Sequence, residues 1–132
     1  MLTLHDIPGD HIDQVPVAAV AAATATGYVG IWSAPFKCKV TAVRFVSSVA
    51  ATGDNTNSKN LNVLLDDGSP AEIGNYDLVT GVNLVVGTPV ALDVPAAGTA
   101  LAANQNLIFE IEKVGTGVLV GPGTFLVTYV GG

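Results

Sequence analysis

Apolar and polar side chains alternate most regularly between residues 36 and 48. In FKCKVT, residues 36–41, the apolar side chains occupy the even positions and the lysines the odd ones. This period of two predicts a half-buried β-strand. In VRF, residues 43–45, the apolar side chains occupy the odd positions instead. One extra residue at Thr41 and Ala42 would keep both apolar sets on the same core, so the pattern predicts a long strand that bends at a β-bulge.

The same alternation recurs along the rest of the chain. A strand from Tyr28 to Ser33 precedes Pro35, whose missing N–H group marks a joint between strands. The other alternating segments have their apolar side chains at Leu61, Val63 and Leu65, at Val90, Leu92 and Val94, at Leu107, Phe109 and Ile111, and at Phe125, Val127 and Tyr129. Glycine and proline separate these segments at short intervals. The pattern predicts an all-β fold of about seven or eight strands, an antiparallel β-sandwich of the jelly-roll type.

Three segments are less regular. Val15–Thr26 consists mainly of small apolar residues, which permit a short helix or a strand, and Pro16, the threonines and Gly27 favour the strand. Residues 51–60, ATGDNTNSKN, are rich in turn-forming residues and predict an exposed loop. Residues 70–87 have no clean period and predict a short strand and a turn, with a single helical turn as the alternative.

The first fourteen residues, MLTLHDIPGDHIDQ, show neither a helical nor a strand period. Ordering one residue costs about 1–2 kcal/mol of backbone entropy, and burying one large apolar side chain returns only about 1.5–3 kcal/mol. We therefore predict an extended N-terminal arm, residues 1–14, that becomes ordered on a partner, followed by one β-sandwich domain, residues 15–132. The arm side chains expected to bind that partner are Leu2, Leu4, Ile7 and Ile12.

Composition and charge narrow the classes of function. Hydrophobic residues make up 49% of the chain, but no apolar run approaches the roughly 18 to 20 residues of a membrane helix, so no membrane association is expected. The net charge of -6 predicts repulsion from nucleic-acid phosphates. The single cysteine, Cys38, lies on the apolar face of its strand, where we expect a buried hydrophobe. The N-terminus has no basic region followed by an apolar core, which predicts no secretion signal.

Metal-ligand residue types crowd together in the predicted arm, at His5, Asp6, Asp10, His11 and Asp13. Their spacing matches no known metal-binding motif, and a loose segment does not hold ligands at fixed geometry. A solvated acidic arm is therefore favoured, and no metal is expected there.

The loop of residues 51–60 has a second arrangement of possible ligands. Asp54, Thr56 and Ser58 alternate as in a calcium-binding loop, but Lys59 stands where that loop requires glycine. A solvated loop is favoured over a calcium site. The sequence thus predicts no metal and no cofactor.

Groups for catalysis are equally sparse. A nucleophile needs a base within hydrogen-bond reach, and both histidines lie in the predicted arm. Glu110 and Glu112 share the outward face of one strand, about 7 Å apart by strand rise, and solvated surface is favoured over a glycosidase pair. The glycines of GTGVLVGPG are followed by no Lys-Ser or Lys-Thr pair, so they predict hairpins rather than a phosphate loop. We predict that the protein is not an enzyme.

Three aromatic side chains, Tyr28, Trp32 and Tyr76, carry a polar group. Exposed together, they would form a platform on which a sugar ring could stack. Packing in the core or at a subunit interface is the favoured alternative, because such side chains bring a large apolar area.

Two runs of the sequence resemble a known class of protein. They are YVGIWSAPFKCKVTAVRFVSSVAATGDNTNSKN, residues 28–60, and ANQNLIFEIEKVGTGVLVGPGTFLVTYV, residues 103–130. The shared pattern is an aromatic and APF entry to a long strand, an Asn- and Thr-rich loop, and then a strand, a GTG turn and a PG before the last strand. In this pattern the chain resembles small all-β virion proteins of tailed bacteriophages, particularly capsid decoration (cement) and head-fibre proteins.

The resemblance implies a structural virion protein that decorates and stabilises a capsid. It implies a homotrimer, made in the host cytoplasm, that binds the major capsid protein on the outer capsid surface while its N-terminal arm clamps a neighbouring subunit or the shell. The alternative function is a carbohydrate-binding β-sandwich module of a fibre or adhesin, which requires Tyr28, Trp32 or Tyr76 to be exposed beside Asp or Asn side chains. A small hydrolase that uses Glu110 and Glu112 is a third alternative.

Overall fold

The computed structural model describes residues 9–132, which form nine β-strands. The strands are β1 (His11–Val17), β2 (Gly27–Ser33), β3 (Cys38–Ser47), β4 (Ser58–Asp66), β5 (Ala71–Asp77), β6 (Val90–Leu92), β7 (Thr99–Leu101), β8 (Asn106–Val114) and β9 (Gly123–Gly131). In this part of the chain there is no helix with the length and apolar character to span a membrane. The all-β prediction is confirmed.

The strands form two antiparallel sheets. Sheet I has the order β1-β9-β3-β6, with the short β7 also paired to β3, and sheet II has the order β2-β8-β4-β5. With β7 set aside, the first strand pairs with the last, the second with β8, the third with β6 and the fourth with β5, and successive pairs alternate between the sheets. This nesting is the jelly-roll arrangement, so the predicted antiparallel β-sandwich is confirmed.

Strand β3 contains the bend that its alternation predicts. Its register against β9 shifts between Val40 and Ala42, which is the bulge expected at this point. On either side of the bulge, Val40, Val43 and Phe45 are all fully buried. The extra residue therefore keeps both apolar sets of one strand on the same core.

The hydrophobic core lies between the two sheets. The inner strands β8 and β9 supply it with every second side chain: Leu107, Phe109, Ile111, Phe125, Val127 and Tyr129. Phe109 and Phe125 stack across the sandwich with their ring centroids 4.4 Å apart. Cys38 is buried in the same core as a free thiol, as expected.

The predicted boundary between an arm and the domain, at residue 14, is wrong. Strand β1 begins at His11 and pairs with β9 along its whole length. The first side chains that β1 turns inward are those of His11 and Asp13, which are not apolar. The sequence of the strand therefore shows no hydrophobic alternation at its start. Residues 1–8, the remainder of the predicted arm, lie outside the described residues.

The strand predicted at Val15–Thr26 is extended only as far as Val17. Beyond it, Val20 forms an isolated antiparallel bridge with Val120, and the remaining residues up to 26 form turns and irregular backbone. Alanine and threonine side chains are too small to bury a continuous face, so only the valines in this segment reach the core.

The loop predicted at residues 51–60 is shorter than expected at both ends. Ala51 forms a bridge with Leu84, and β4 begins at Ser58. Both ends of the segment are therefore held by backbone pairing. The partners come from segments distant in sequence, so the local sequence does not reveal this pairing.

Candidate partner-binding edge

Strands β1 and β2 are the first strands of sheet I and sheet II, and each pairs with one strand only within residues 9–132. The two strands contact each other, so they bound the same side of the sandwich. Three large apolar side chains on them face solvent: Ile12 on β1 is 55% exposed, and Tyr28 and Ile31 on β2 are each 58% exposed. Ile12 projects from the outer face of sheet I, and Tyr28 and Ile31 project from the outer face of sheet II. We call this side of the sandwich, with Ile12, Tyr28 and Ile31, the β1–β2 edge.

Beneath the β1–β2 edge, the carboxylate of Asp13 joins the two sheets. Its Oδ2 atom accepts a hydrogen bond from the indole N–H of Trp32, at 2.8 Å, and another from the hydroxyl of Tyr129, at 3.1 Å. Trp32 belongs to sheet II, whereas Asp13 and Tyr129 belong to sheet I. A charged acceptor shared by two largely buried donors fixes the position of β1 against the rest of the molecule.

An aromatic cluster surrounds this carboxylate. The ring of Tyr129 lies 5.3 Å from that of His11, 5.0 Å from that of Trp32 and 5.8 Å from that of Phe36, measured between centroids. Burial, and then the nearby Asp13 carboxylate, raise the pKa of Tyr129 to about 12. Burial also raises the pKa of the Cys38 thiol. Both groups are held in their neutral forms by this environment.

The three aromatic side chains lie in different environments and do not form a common platform. Trp32 is only 5% exposed and packs on Tyr129, which agrees with the favoured packing in the core and excludes Trp32 from an exposed sugar-stacking surface. Tyr76 is partly buried against the core. Tyr28 alone of the three is well exposed. Simple alternation along β2 would place Tyr28 and Trp32 on the same face of the sheet. The register of β2 shifts between Tyr28 and Gly30, so the two side chains lie on opposite faces.

Only one of the four predicted arm side chains belongs to the described residues. Ile12 is exposed on β1, where it is available to a partner. Leu2, Leu4 and Ile7 lie outside the described residues, and their role stays a prediction.

The cluster of metal-ligand residue types is also divided. His5 and Asp6 lie outside the described residues, whereas His11 packs against the rings of Phe36 and Tyr129. Within residues 9–132 there is no group of three or more His, Cys, Asp or Glu side chains that could hold a metal ion.

Asp54, the first residue of the calcium-like pattern, closes a turn. Its carboxylate accepts hydrogen bonds from the backbone N–H of Asn57, at 2.9 Å, and of Thr56, at 2.6 Å. These bonds lower the pKa of Asp54. The carboxylate therefore organises its own loop.

Lys59 is a residue whose role the sequence did not reveal. It lies in β4 rather than in a solvated loop, it is fully buried, and its ammonium group donates a hydrogen bond to the backbone carbonyl of Thr24, at 2.8 Å. Burial, and then repulsion from Lys113, lower its pKa. The lysine holds the irregular segment after β1 against the end of the sandwich.

The outer face of sheet II, the face turned away from the core, is acidic. Its pattern could be read from the outward positions of β8, where Glu110 and Glu112 alternate with core residues. The side-chain amide of the buried Asn62 donates hydrogen bonds to Glu110, at 2.9 Å, and to Glu112, at 3.0 Å. Tyr28 is the register partner of Glu110 on the neighbouring strand. An exposed aromatic ring thus lies beside a carboxylate and an amide.

Two more acids from β5 extend this face. Burial raises the pKa of Glu72, a hydrogen bond from Asn75 opposes this shift, and the charges of Asp77, Glu112 and Asp93 add to it. Burial also raises the pKa of Asp77, with contributions from Glu112 and Asp93. The acids of sheet II therefore repel one another in the folded chain.

A shallow cleft lies at the opposite end of β1 from His11. It has a volume of about 490 Å³ and is lined by ten residues, none of them ionisable. The Ser47 hydroxyl donates to the carbonyl of Val49, at 2.6 Å, and the Ser48 hydroxyl to that of Pro122, at 2.5 Å. With no base among its lining residues, the cleft offers no activated nucleophile.

No family model and no curated protein sequence matches the chain. Among solved structures, the crystal structure of the Yersinia pseudotuberculosis-derived mitogen (YPM) is similar, with 11% sequence identity, a TM-score of 0.42, and coverage of 94% of this chain and 86% of that chain. At this level of similarity the mitogen carries no argument about function.

Proposed function

We propose that the protein is a structural virion protein that decorates and stabilises a bacteriophage capsid by binding its outer surface. The observation that carries the proposal is the β1–β2 edge, where Ile12, Tyr28 and Ile31 are exposed on the two strands that bound one side of the sandwich. Exposed apolar side chains on strands with a free edge form a surface suited to a protein partner.

The chemistry of this edge suits binding to another chain. The outer backbone groups of β1 and β2 can accept a further strand. The partner buries additional apolar area where it reaches Ile12 on the outer face of sheet I or Tyr28 and Ile31 on that of sheet II. The arm residues Leu2, Leu4 and Ile7 precede β1 directly, so they would extend the contact from Ile12 onto the neighbouring subunit. The jelly-roll arrangement also occurs in viral capsid domains, which supports the proposal by analogy only.

In this proposal the protein acts as a homotrimer, is made in the host cytoplasm and binds the major capsid protein. Several identical sites held together convert modest contacts into strong attachment, because every contact after the first forms at high effective concentration. The protein performs no chemistry, and its contribution to the virion is mechanical. Sedimentation of the free and capsid-bound protein tests the trimer, and a monomer in both states would exclude it.

The test is binding to bacteriophage capsids that lack the protein. Replacing Ile12 and Tyr28 with serine keeps the net charge and removes apolar area from the edge, and we expect capsid affinity to fall at least about tenfold. The matched control replaces Val85 and Val86 with serine, since each is 57% exposed and neither lies on β1 or β2. Equal affinity of the edge variant and the wild-type protein would overturn the proposal.

A carbohydrate-binding module remains the second candidate, because Tyr28 lies beside Glu110 and Glu110 accepts a hydrogen bond from Asn62. A ring for stacking next to polar hydrogen-bonding groups is the minimum that a sugar requires. Screening immobilised glycans with the wild-type protein and the Tyr28→Ala variant tests it. Binding that Tyr28→Ala abolishes would favour this function, and absence of binding to any glycan would exclude it.

A further inference from the structure

The two outer faces of the sandwich carry charges of opposite sign. Outward-facing residues of sheet I include Lys39 and Arg44 on β3, whereas those of sheet II include Glu110 and Glu112 on β8 and Glu72 and Asp77 on β5. In each strand the outward side chains alternate with side chains that face the core. The register of the strands therefore places the bases on one outer face and the acids on the other. Within residues 9–132 none of the basic side chains forms an ion pair with a carboxylate, so the charges of both faces are left without a partner of opposite sign.

The spacing of the two bases follows from the register of β3. Lys39 lies opposite Val130 on β9, and Arg44 lies opposite Leu126. Four residues separate these partners, because the bulge in β3 absorbs one position. The two bases are therefore about 13 Å apart along the sheet.

The two acids of β5 have the same spacing for the same reason. Glu72 lies opposite Leu64 on β4, and Asp77 lies opposite Asn60, so their partners are also four residues apart across a bulge. Glu72 and Asp77 are thus about 13 Å apart as well. The pair of bases on one face and the pair of acids on the other have opposite charges and the same separation.

We propose that the outer face of sheet I in one copy of the protein packs on the outer face of sheet II in a second copy. Lys39 and Arg44 then lie against Glu72 and Asp77, and each crowded acid gains a base that its own chain does not supply. The occupant is a second copy rather than another protein, because both the sign and the spacing of the charges are complementary within this one sequence.

The contact is of modest strength. Four strands about 4.8 Å apart and about seven residues long present a face of about 19 by 23 Å, so each copy contributes roughly 450 Å² of flat area. Stable interfaces bury about 800 Å² from each partner. The charges therefore determine which faces meet, while affinity depends on a high local concentration.

The two faces lie on opposite sides of the sandwich, so the contact joins unlike surfaces and repeats from copy to copy. Such a contact does not by itself close a trimer, but it can link neighbouring copies, or neighbouring trimers, side by side over a shell. In this respect the inference rests on the proposed function and deepens it, by stating how adjacent copies recognise each other.

Reversing the charges tests the contact on the free, full-length protein. The sheet I variant carries Lys39→Glu and Arg44→Glu, and the sheet II variant carries Glu72→Lys and Asp77→Lys. Sedimentation velocity in about 50 mM salt should show wild-type self-association that weakens in about 500 mM salt. Each variant alone should associate at least about tenfold more weakly than the wild-type protein, because like charges then face each other.

An equimolar mixture of the two variants should recover association, since each reversed face then meets a face of opposite sign. A control with Asp10→Lys and Asp67→Lys changes the net charge as the sheet II variant does, at exposed positions that precede β1 and follow β4, and should associate like the wild-type protein. The inference is wrong if the mixture does not recover, if the control weakens equally, or if the wild-type protein stays monomeric at every concentration. Melting curves confirm that each variant is folded.

Capsid binding separates this inference from the proposed function. If the wild-type protein binds capsids but the charge-reversal pattern is absent, the contact is excluded and the proposed function stands. If the charge-reversal pattern holds but no capsid is bound, the contact stands and the proposed function is excluded.

Discussion

The carboxylate of Asp13 connects the core of the molecule to its candidate binding surface. It lies between the exposed side chains of β1 and the buried rings of Trp32 and Tyr129, and it accepts a hydrogen bond from each of these two rings. Its removal would leave an indole N–H and a phenol O–H without an acceptor in an apolar environment, which is costly for both groups.

We predict that Asp13→Ala lowers the free energy of unfolding by about 2–4 kcal/mol, because two buried donors lose a charged acceptor. Urea denaturation followed by Trp32 fluorescence measures the loss, and the native emission spectrum should also change. The neighbouring acid Asp10 is exposed and outside β1, so Asp10→Ala serves as the control and should be neutral. Equal stability of the two variants would show that Asp13 does not hold β1 in place.

We predict that the folded protein loses stability at alkaline pH because of Tyr129. Its pKa rises from 10.0 to about 12 on folding, so the hydroxyl ionises more readily in the unfolded chain. The stabilising contribution of the neutral hydroxyl is therefore complete below pH 10 and is lost as the pH rises towards 12. Urea denaturation between pH 9 and about 12 should show this decline for the wild-type protein and a smaller one for Tyr129→Phe; parallel declines would contradict the assignment.

Among the strands, β1 differs most from the sequence prediction, which placed its first four residues in an arm. Its inward side includes polar groups at His11 and Asp13, and its approach to β2 depends on Gly30. A Cβ atom at Gly30 would lie 3.1 Å from Val15 Cγ1 and 3.3 Å from Val17 Cγ1, which is closer than a β-carbon normally packs. Glycine at this position lets the first strands of the two sheets approach each other.

Two truncations distinguish the arm from the strand. Removing residues 1–8 leaves β1 complete, so we expect a melting temperature within a few degrees of the full chain and weaker capsid binding. Removing residues 1–14 deletes four of the seven residues of β1, including Asp13, so we expect a clear fall in melting temperature. Identical melting temperatures for the two truncations would show that β1 contributes nothing to stability.

At the scale of the whole molecule, the two outer faces differ in charge. A net charge of -6 is unevenly distributed, because Glu72, Asp77, Glu110 and Glu112 lie on the outer face of sheet II. Mutual repulsion raises the cost of folding and is weakened by salt or by protonation. The same repulsion favours contact with a basic surface, which the outer face of sheet I in a second copy supplies.

Stability should respond to mild acid through this acidic face. The pKa values of Glu72 and Asp77 are raised in the folded chain, so their charged forms destabilise it at neutral pH. This destabilisation is relieved as the pH falls from 7 through the raised pKa values. We predict that mild acidification raises the melting temperature of the wild-type protein relative to that of the Glu72→Gln, Asp77→Asn double variant, which lacks this relief; an unchanged difference between the two proteins would contradict the prediction.

Several features were predictable because they depend on neighbouring residues only. The bulge of β3 follows from a change of phase within six residues, and the inward positions of β8 and β9 follow from their alternation. The environment of Trp32 was not predictable, because it depends on a bulge in β2 and on Asp13, nineteen residues away in sequence. Lys59 was misplaced for a similar reason, since its partner Thr24 lies thirty-five residues away.

By itself, the sequence determined the all-β class, the bend in β3 and the side chains that each regular strand turns inward, because the period of a strand is a local property of the chain. Only the tertiary structure decided that residues 11–14 belong to a strand, that Asp13 joins the two sheets, and that acids and bases occupy opposite faces. These features arise from pairing between distant segments, and their register depends on the whole core rather than on any one stretch of residues.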